Sequence, residues 1–230
     1  EARWLILAIS DFYNFQMHER TCIASYYQGH VFGFSSSGEH WFLMADWTKD
    51  QARLYSGTDF SQSVCSLFEQ DDHTAGWTDI AVDKDTGEIY VLSTQGFISV
   101  FQRLDDSDDL VPVRTLSGPH MAMPYHMVLD SEDNRVFVLN KPFRKSAYVT
   151  GYNSDGPYYQ NETLHWEGRG TGFLHNLMRD LAIDTVHNEI FVSINDNTIN
   201  AFSYDYPVYR SLGHSPVRSL HGEDTQLLHP

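Results

Sequence analysis

Apolar positions along this chain come in short runs of alternating or continuous hydrophobic residues, and no long segment repeats them at the 3.6-residue period of a helix. The stretch "GWTDIAVDKDTGEIYVLSTQGFISVFQR", residues 76–103, shows the pattern clearly. Ile80-Ala81-Val82 leads into a polar turn, then Ile89-Tyr90-Val91-Leu92, then a second turn, then Phe97-Ile98-Ser99-Val100-Phe101. Runs of this length, rich in β-branched and aromatic residues and bounded by Gly, Asp and Thr, read as strands joined by tight turns. Four segments align on this one: "VFGFSSSGEHWFLMAD" (31–46), "IAVDKDTGEIYVLST" (80–94), "MVLDSEDNRVFVLNK" (127–141) and "LAIDTVHNEIFVSIN" (181–195). Their turn residues, Gly38, Gly87, Asn134 and Asn188, are 49, 47 and 54 residues apart. Gly and Asn accept the left-handed backbone that tight hairpins require.

A third strand follows each pair: "RLYS", "ISVFQR", "AYVTGY" and "INAFSY". A fourth follows in turn: "SVCSLF" (63–68), "VPVRTLS" (111–117), "ETLHWE" (162–167) and "PVRSLHG" (216–222). Four-stranded units repeating at this period predict an all-β fold, a β-propeller of antiparallel blades. The start of the chain fits the same register: "RWLILAIS" (3–10) matches a second strand, "FYNFQ" a third and "TCIASYYQ" (21–28) a fourth. The expected blades are 1–29, 30–72, 73–118, 119–170 and 171–222, with 223–230 leading to ring closure. Five blades in one domain is the expectation, a fragment of a propeller of six or more the alternative.

The repeats, most plainly "LAIDTVHNEIFVSINDNTINAFS" (181–203) and "IAVDKDTGEIYVLS", resemble those of the NHL, YVTN and YWTD class of propellers. The likeness covers most of the chain and is specific for the repeat rather than for an activity. It implies a function among lactonases, lyases, receptor ectodomains and scaffolds, since one fold carries many functions.

Asp79 is an acid directly before the apolar run Ile80-Ala81-Val82. It lies eight residues before Gly87, and the same offset gives His30 before Gly38, His126 before Asn134 and Asp180 before Asn188. Equal offsets from equivalent turns place residues equivalently in each blade, and a ring brings them to one axis. These four residues are therefore expected at the mouth of the central channel, facing it rather than the core. Two imidazoles and two carboxylates make a candidate divalent-metal site, suited to zinc or another first-row ion better than to calcium. The family resemblance implies the same place, because propeller lactonases and amidating lyases hold metals on this axis; the lactonase set is carboxylate and Asn, whereas this chain has His and Asp. The alternative is a polar mouth that binds water, or a ring of charge-assisted hydrogen bonds with no ion. Around the mouth, His73 and His120 are candidate proton-transfer groups, and Trp77, Tyr125, His175 and Arg179 candidate ligand-binding residues.

Charge narrows the partners. The 230 residues hold 31 acidic and 15 basic side chains, a formal net charge of -16. Such a surface repels phosphate backbones, so nucleic acid is not an expected partner. No apolar run is long enough to span a membrane, and Trp4–Ile9 is too short for a signal peptide. A chain opening on Glu1 reads as a processed or trimmed product. Cys22 and Cys65 fall on outer strands of consecutive blades, which predicts two free thiols. "NET" (161–163) is a glycosylation sequon. The expectation is a ligand- or partner-binding module, secreted or extracellular, taking a small molecule, glycan or protein on its top face. The alternative is a metal-dependent hydrolase or lyase built on His30, Asp79, His126 and Asp180, in which the ion would make a nucleophile of a bound water.

Overall fold

The computed structural model describes residues 31–36, 39–46, 51–56, 63–66, 77–83, 85–103, 110–143, 145–156, 162–167, 178–194, 198–205 and 215–221, with side chains only beyond Trp77. Among the described residues, sixteen strands form four sheets. The first holds β1 (Val31–Ser36), β2 (Glu39–Asp46), β3 (Gln51–Ser56) and β4 (Ser63–Ser66). The second holds β5 (Trp77–Val82), β6 (Ile89–Ser93), β7 (Phe97–Arg103) and β8 (Leu110–Ser117). In the third are β9 (Pro124–Asp130), β10 (Arg135–Asn140), β11 (Tyr148–Asn153) and β12 (Glu162–Trp166). The fourth comprises β13 (Met178–Asp184), β14 (Glu189–Ile194), β15 (Thr198–Ser203) and β16 (Arg218–Leu220). Each sheet runs in sequence order and every pairing is antiparallel. No helix occurs among the described residues. In these four units the expected third and fourth strands form, whereas those expected over 12–16 and 21–28 lie outside the described residues; the first strands β1, β5, β9 and β13 approach one another, as the inner strands of a propeller-like arrangement do.

The predicted turns close as their residues require. Gly87, Asn134 and Asn188 have φ of 72°, 52° and 53°. In each turn an aspartate four residues earlier accepts backbone N–H bonds: Asp83 Oδ1 from Asp85 and Thr86, Asp130 Oδ1 from Asp133, Asp184 Oδ1 from Val186 and His187. Side chains that copy a backbone turn in this way favour the hairpin before any tertiary contact forms. Gly38 lies outside the described residues.

The core lies between sheets. Ala81, Leu92, Val100 and Leu116 of the second sheet pack against Met127, Val136 and Val138 of the third. The opposite face of the third sheet, with Phe137, Leu139, Val149 and Trp166, packs against Leu181, Val192 and Phe202 of the fourth. Val136 to Asn140 are consequently buried without alternation. A strand covered on both faces reads as one continuous apolar run, which is why "RVFVL" lacks the period of two expected of a half-exposed strand.

Repeated sequence gives repeated ion pairs. Arg114 grips Glu88 with both arms of its guanidinium, at 2.5 and 2.6 Å. Arg218, the equivalent residue of "PVRSLHG", pairs with Glu189 in the fourth sheet. Arg114 also donates to Ser154 O of the next sheet, at 2.9 and 3.1 Å, so this pair ties neighbouring units together.

Candidate functional site at the start of the inner strands

Each described inner strand beyond β1 carries a β-bulge one residue before the predicted site residue. In β5 the register passes from Trp77↔Ser93 to Asp79↔Leu92, skipping Thr78. In β9 it passes from Asn140↔Pro124 to Leu139↔His126, skipping Tyr125. In β13 it passes from Met178↔Ile194 to Asp180↔Ser193, skipping Arg179. A bulge bends its strand and re-aims the side chains beside it. Its repetition at Thr78, Tyr125 and Arg179 turns Asp79, His126 and Asp180 toward one another.

Those three residues meet. His126 Nδ1 lies 2.6 Å from Asp79 Oδ2, and His126 Nε2 lies 2.6 Å from Asp180 Oδ1. Each aspartate also caps its own strand: Ile80 N donates to Asp79 Oδ1 at 2.8 Å, and Leu181 N to Asp180 Oδ1 at 2.9 Å. The stitching runs from sheet to sheet by one rule. Asp79 Oδ2 accepts from Met127 N, the residue after His126, at 2.7 Å. His126 Nε2 lies 3.2 Å from Leu181 O, the residue after Asp180. Asp79 and His126 thus each hold both the equivalent side chain and the neighbouring backbone of the following sheet.

Burial is graded along it. The Asp79 side chain is only 2% exposed and that of His126 14%, whereas Asp180 is 60% exposed. Asp79 is thus buried at its strand start rather than open to solvent. Its charge is buried and is compensated by two amide N–H groups and an imidazole, as a buried carboxylate must be. Burial alone would pull the His126 imidazole below its usual range; the Asp79 charge and the contacts with both aspartates outweigh it and push the group up to about 10. The ring is an imidazolium at neutral pH.

Beside this chain stand other predicted residues. Lys141 Nζ sits 3.4 Å from the centre of the half-buried Tyr125 ring, a cation–π contact. Burial and the nearby Arg179 charge push the Lys141 ammonium down to about 8. Burial also raises the Tyr125 hydroxyl. Arg179 and Asp180 are exposed at the start of β13. Trp77 begins β5, but its side chain lies outside the described residues, as do His30, His73 and His175. Cys65 falls on the outer strand β4, as expected, and Cys22 lies outside the described residues.

His120 lies elsewhere, in the turn between β8 and β9, with a left-handed φ of 62°. Its Nδ1 is 3.0 Å from Glu162 Oε2, and Glu162 Oε1 is 2.9 Å from His165 Nδ1. Glu162 and His165 were not visible as site residues in the sequence. Three residues apart on a strand, they would point to opposite faces. The β11–β12 ladder passes from Gly151↔Leu164 to Tyr152↔Glu162, so Thr163 bulges out and the two side chains come to one face. Burial opposes the charged form of His165, but hydrogen bonds to Glu162 and Glu167 raise its pKa.

No protein-family model and no curated protein matches this chain. Among solved structures, 525 chains resemble it, which marks a widely shared architecture rather than one protein. One is the crystal structure of Raptor from Chaetomium thermophilum, similar with a TM-score of 0.56 and 12% identity over 80% of this chain. This chain spans 16% of that one. At such low identity the likeness speaks for the fold, and the fold is propeller-like.

Proposed function

We propose that this chain is a binding module, a propeller whose top face, at the start of the inner strands, takes a protein partner. The observation that carries the reading is Lys141 seated on the Tyr125 ring, with Arg179 exposed within electrostatic reach of it alongside Asp180, on a chain of net charge -16. A basic and aromatic spot on an acidic surface suits an acidic side chain or chain terminus of a partner, held by charge and by ring contact. The inner strands beneath it are fastened to one another, so the face is presented rigidly and little ordering entropy is lost on binding. Residues 1–29, expected as a further blade, lie outside the described residues.

In this reading Asp79, His126 and Asp180 fasten blades rather than ligate an ion. His126 offers one nitrogen to each carboxylate, so the two carboxylates lie on opposite sides of the ring and no single ion can touch all three groups. The test is affinity capture with wild type and with the charge-reversed variant Lys141→Glu/Arg179→Glu, after thermal denaturation has shown that both fold. Proteins retained by wild type and lost by the variant are the expected result. Identical retention by the two would refute this face as the binding surface.

A further inference from the structure

We propose that His120, Glu162 and His165 bind a divalent first-row cation, zinc foremost, at the edge of the third sheet. Among the described residues this is the one group of three His, Cys, Asp or Glu side chains whose donor atoms all fall within 4.8 Å of one another. Two imidazoles and a carboxylate are a recurrent donor set for zinc, with bonds of about 2.0–2.2 Å. Tetrahedral geometry at those lengths asks for donors about 3.4 Å apart. The contacts of 3.0 and 2.9 Å from the Glu162 carboxylate to the two rings need to open by a few tenths of an ångström, and the widest donor pair, now within 4.8 Å, needs to draw in around the ion. This convergence is what the Asp79–His126–Asp180 chain lacks.

The surroundings hold the donors in place. His165 Nε2 lies 3.2 Å from Glu167 Oε2, leaving Nδ1 turned toward Glu162. A carboxylate on the far nitrogen is the arrangement that orients metal-binding histidines. Tyr148 stacks on the His165 ring at 5.2 Å and 17°. The His120 turn is clamped from two sides. The Tyr152 hydroxyl donates to Pro119 O at 2.5 Å, and Met121 O packs so closely on Gly96 that a Cβ there would lie 2.2 Å away. Glu162 and His165 are buried and the His120 side chain is 38% exposed, so the fourth coordination position opens toward solvent, where water or a partner's side chain can complete it.

The cluster can also exist as an ion pair that shares protons, and zinc must displace those protons to bind. The full chain should therefore be stripped with chelator and titrated with Zn2+ by calorimetry and with Co2+ by visible absorption. One equivalent of each is expected, with proton release and the ligand-field bands of a low-symmetry Co2+ site. His120→Asn suits the left-handed backbone at 120 and removes the imidazole, and Glu162→Gln removes the charge; each should weaken binding by about tenfold or more. His187→Ala, at an exposed imidazole 2.7 Å from Asp184, should leave binding unchanged. Absence of a stoichiometric ion, or an affinity untouched by both His120→Asn and Glu162→Gln, would overturn the proposal.

Discussion

Replacing His126 with Gln should destabilise the chain near neutral pH and hardly at all in alkali. The substitution removes one partner of a buried ion pair, which costs about 3–5 kcal/mol where the remaining charge is left uncompensated. Asp79 keeps the amide hydrogens of Ile80 and Met127, at 2.8 and 2.7 Å, so the lower end, about 3 kcal/mol, is expected. The pH dependence follows from the direction of the shift. His126 titrates at about 10 in the folded chain against an ordinary 6.5, so between those values the native state holds a proton that the unfolded state has released. Its stabilisation is complete below about 6.5 and is lost as pH rises toward 10, at no more than about 1.4 kcal/mol per pH unit. Lys141, shifted down to about 8, acts in the opposite sense in alkali, so the difference between wild type and variant must be followed rather than wild type alone. Urea unfolding at several pH values should give a gap of about 3 kcal/mol near neutrality that nearly closes by about pH 9.5. A gap of constant size across that range would refute the imidazolium bridge.

Other outcomes follow from the packing. Gly87→Ala meets nothing within 4 Å and should cost only the left-handed backbone, about 1 kcal/mol by thermal unfolding, whereas Gly96→Ala, at φ 89° and against Met121 O, should cost more than about 2 kcal/mol. Arg114→Lys loses the two-armed grip on Glu88 and the bonds to Ser154 O, and should destabilise by about 1.5–3 kcal/mol despite keeping the charge. Tyr204→Phe removes the hydrogen bond to Asp130 Oδ2 at 2.8 Å and leaves that buried oxygen without it, while Oδ1 keeps the Asp133 amide; about 1–3 kcal/mol should be lost in urea denaturation.

The strands, their order and their turns were legible in the sequence because the interactions that make them are local. Gly87, Asn134 and Asn188 sit where a left-handed residue is needed, and the aspartate four residues before each supplies the turn's hydrogen bonds. Equal spacing from those turns was also enough to pick out Asp79, His126 and Asp180 as neighbours, because a repeat converts equal offsets into equal positions around an axis. What the spacing could not convey was the environment at those positions. Whether Asp79 is wet or buried depends on how the next sheet packs against β5, which depends on residues such as Met127, 48 positions downstream. Tertiary structure alone decided the bulges. One skipped residue at Thr78, Tyr125 or Arg179 leaves no mark in an apolar pattern, yet it reverses which face the preceding residues address. The bulge at Thr163 is the clearest case: sequence places Glu162 and His165 on opposite faces, and the bulge brings them together beside His120, a residue some 40 positions away in the chain.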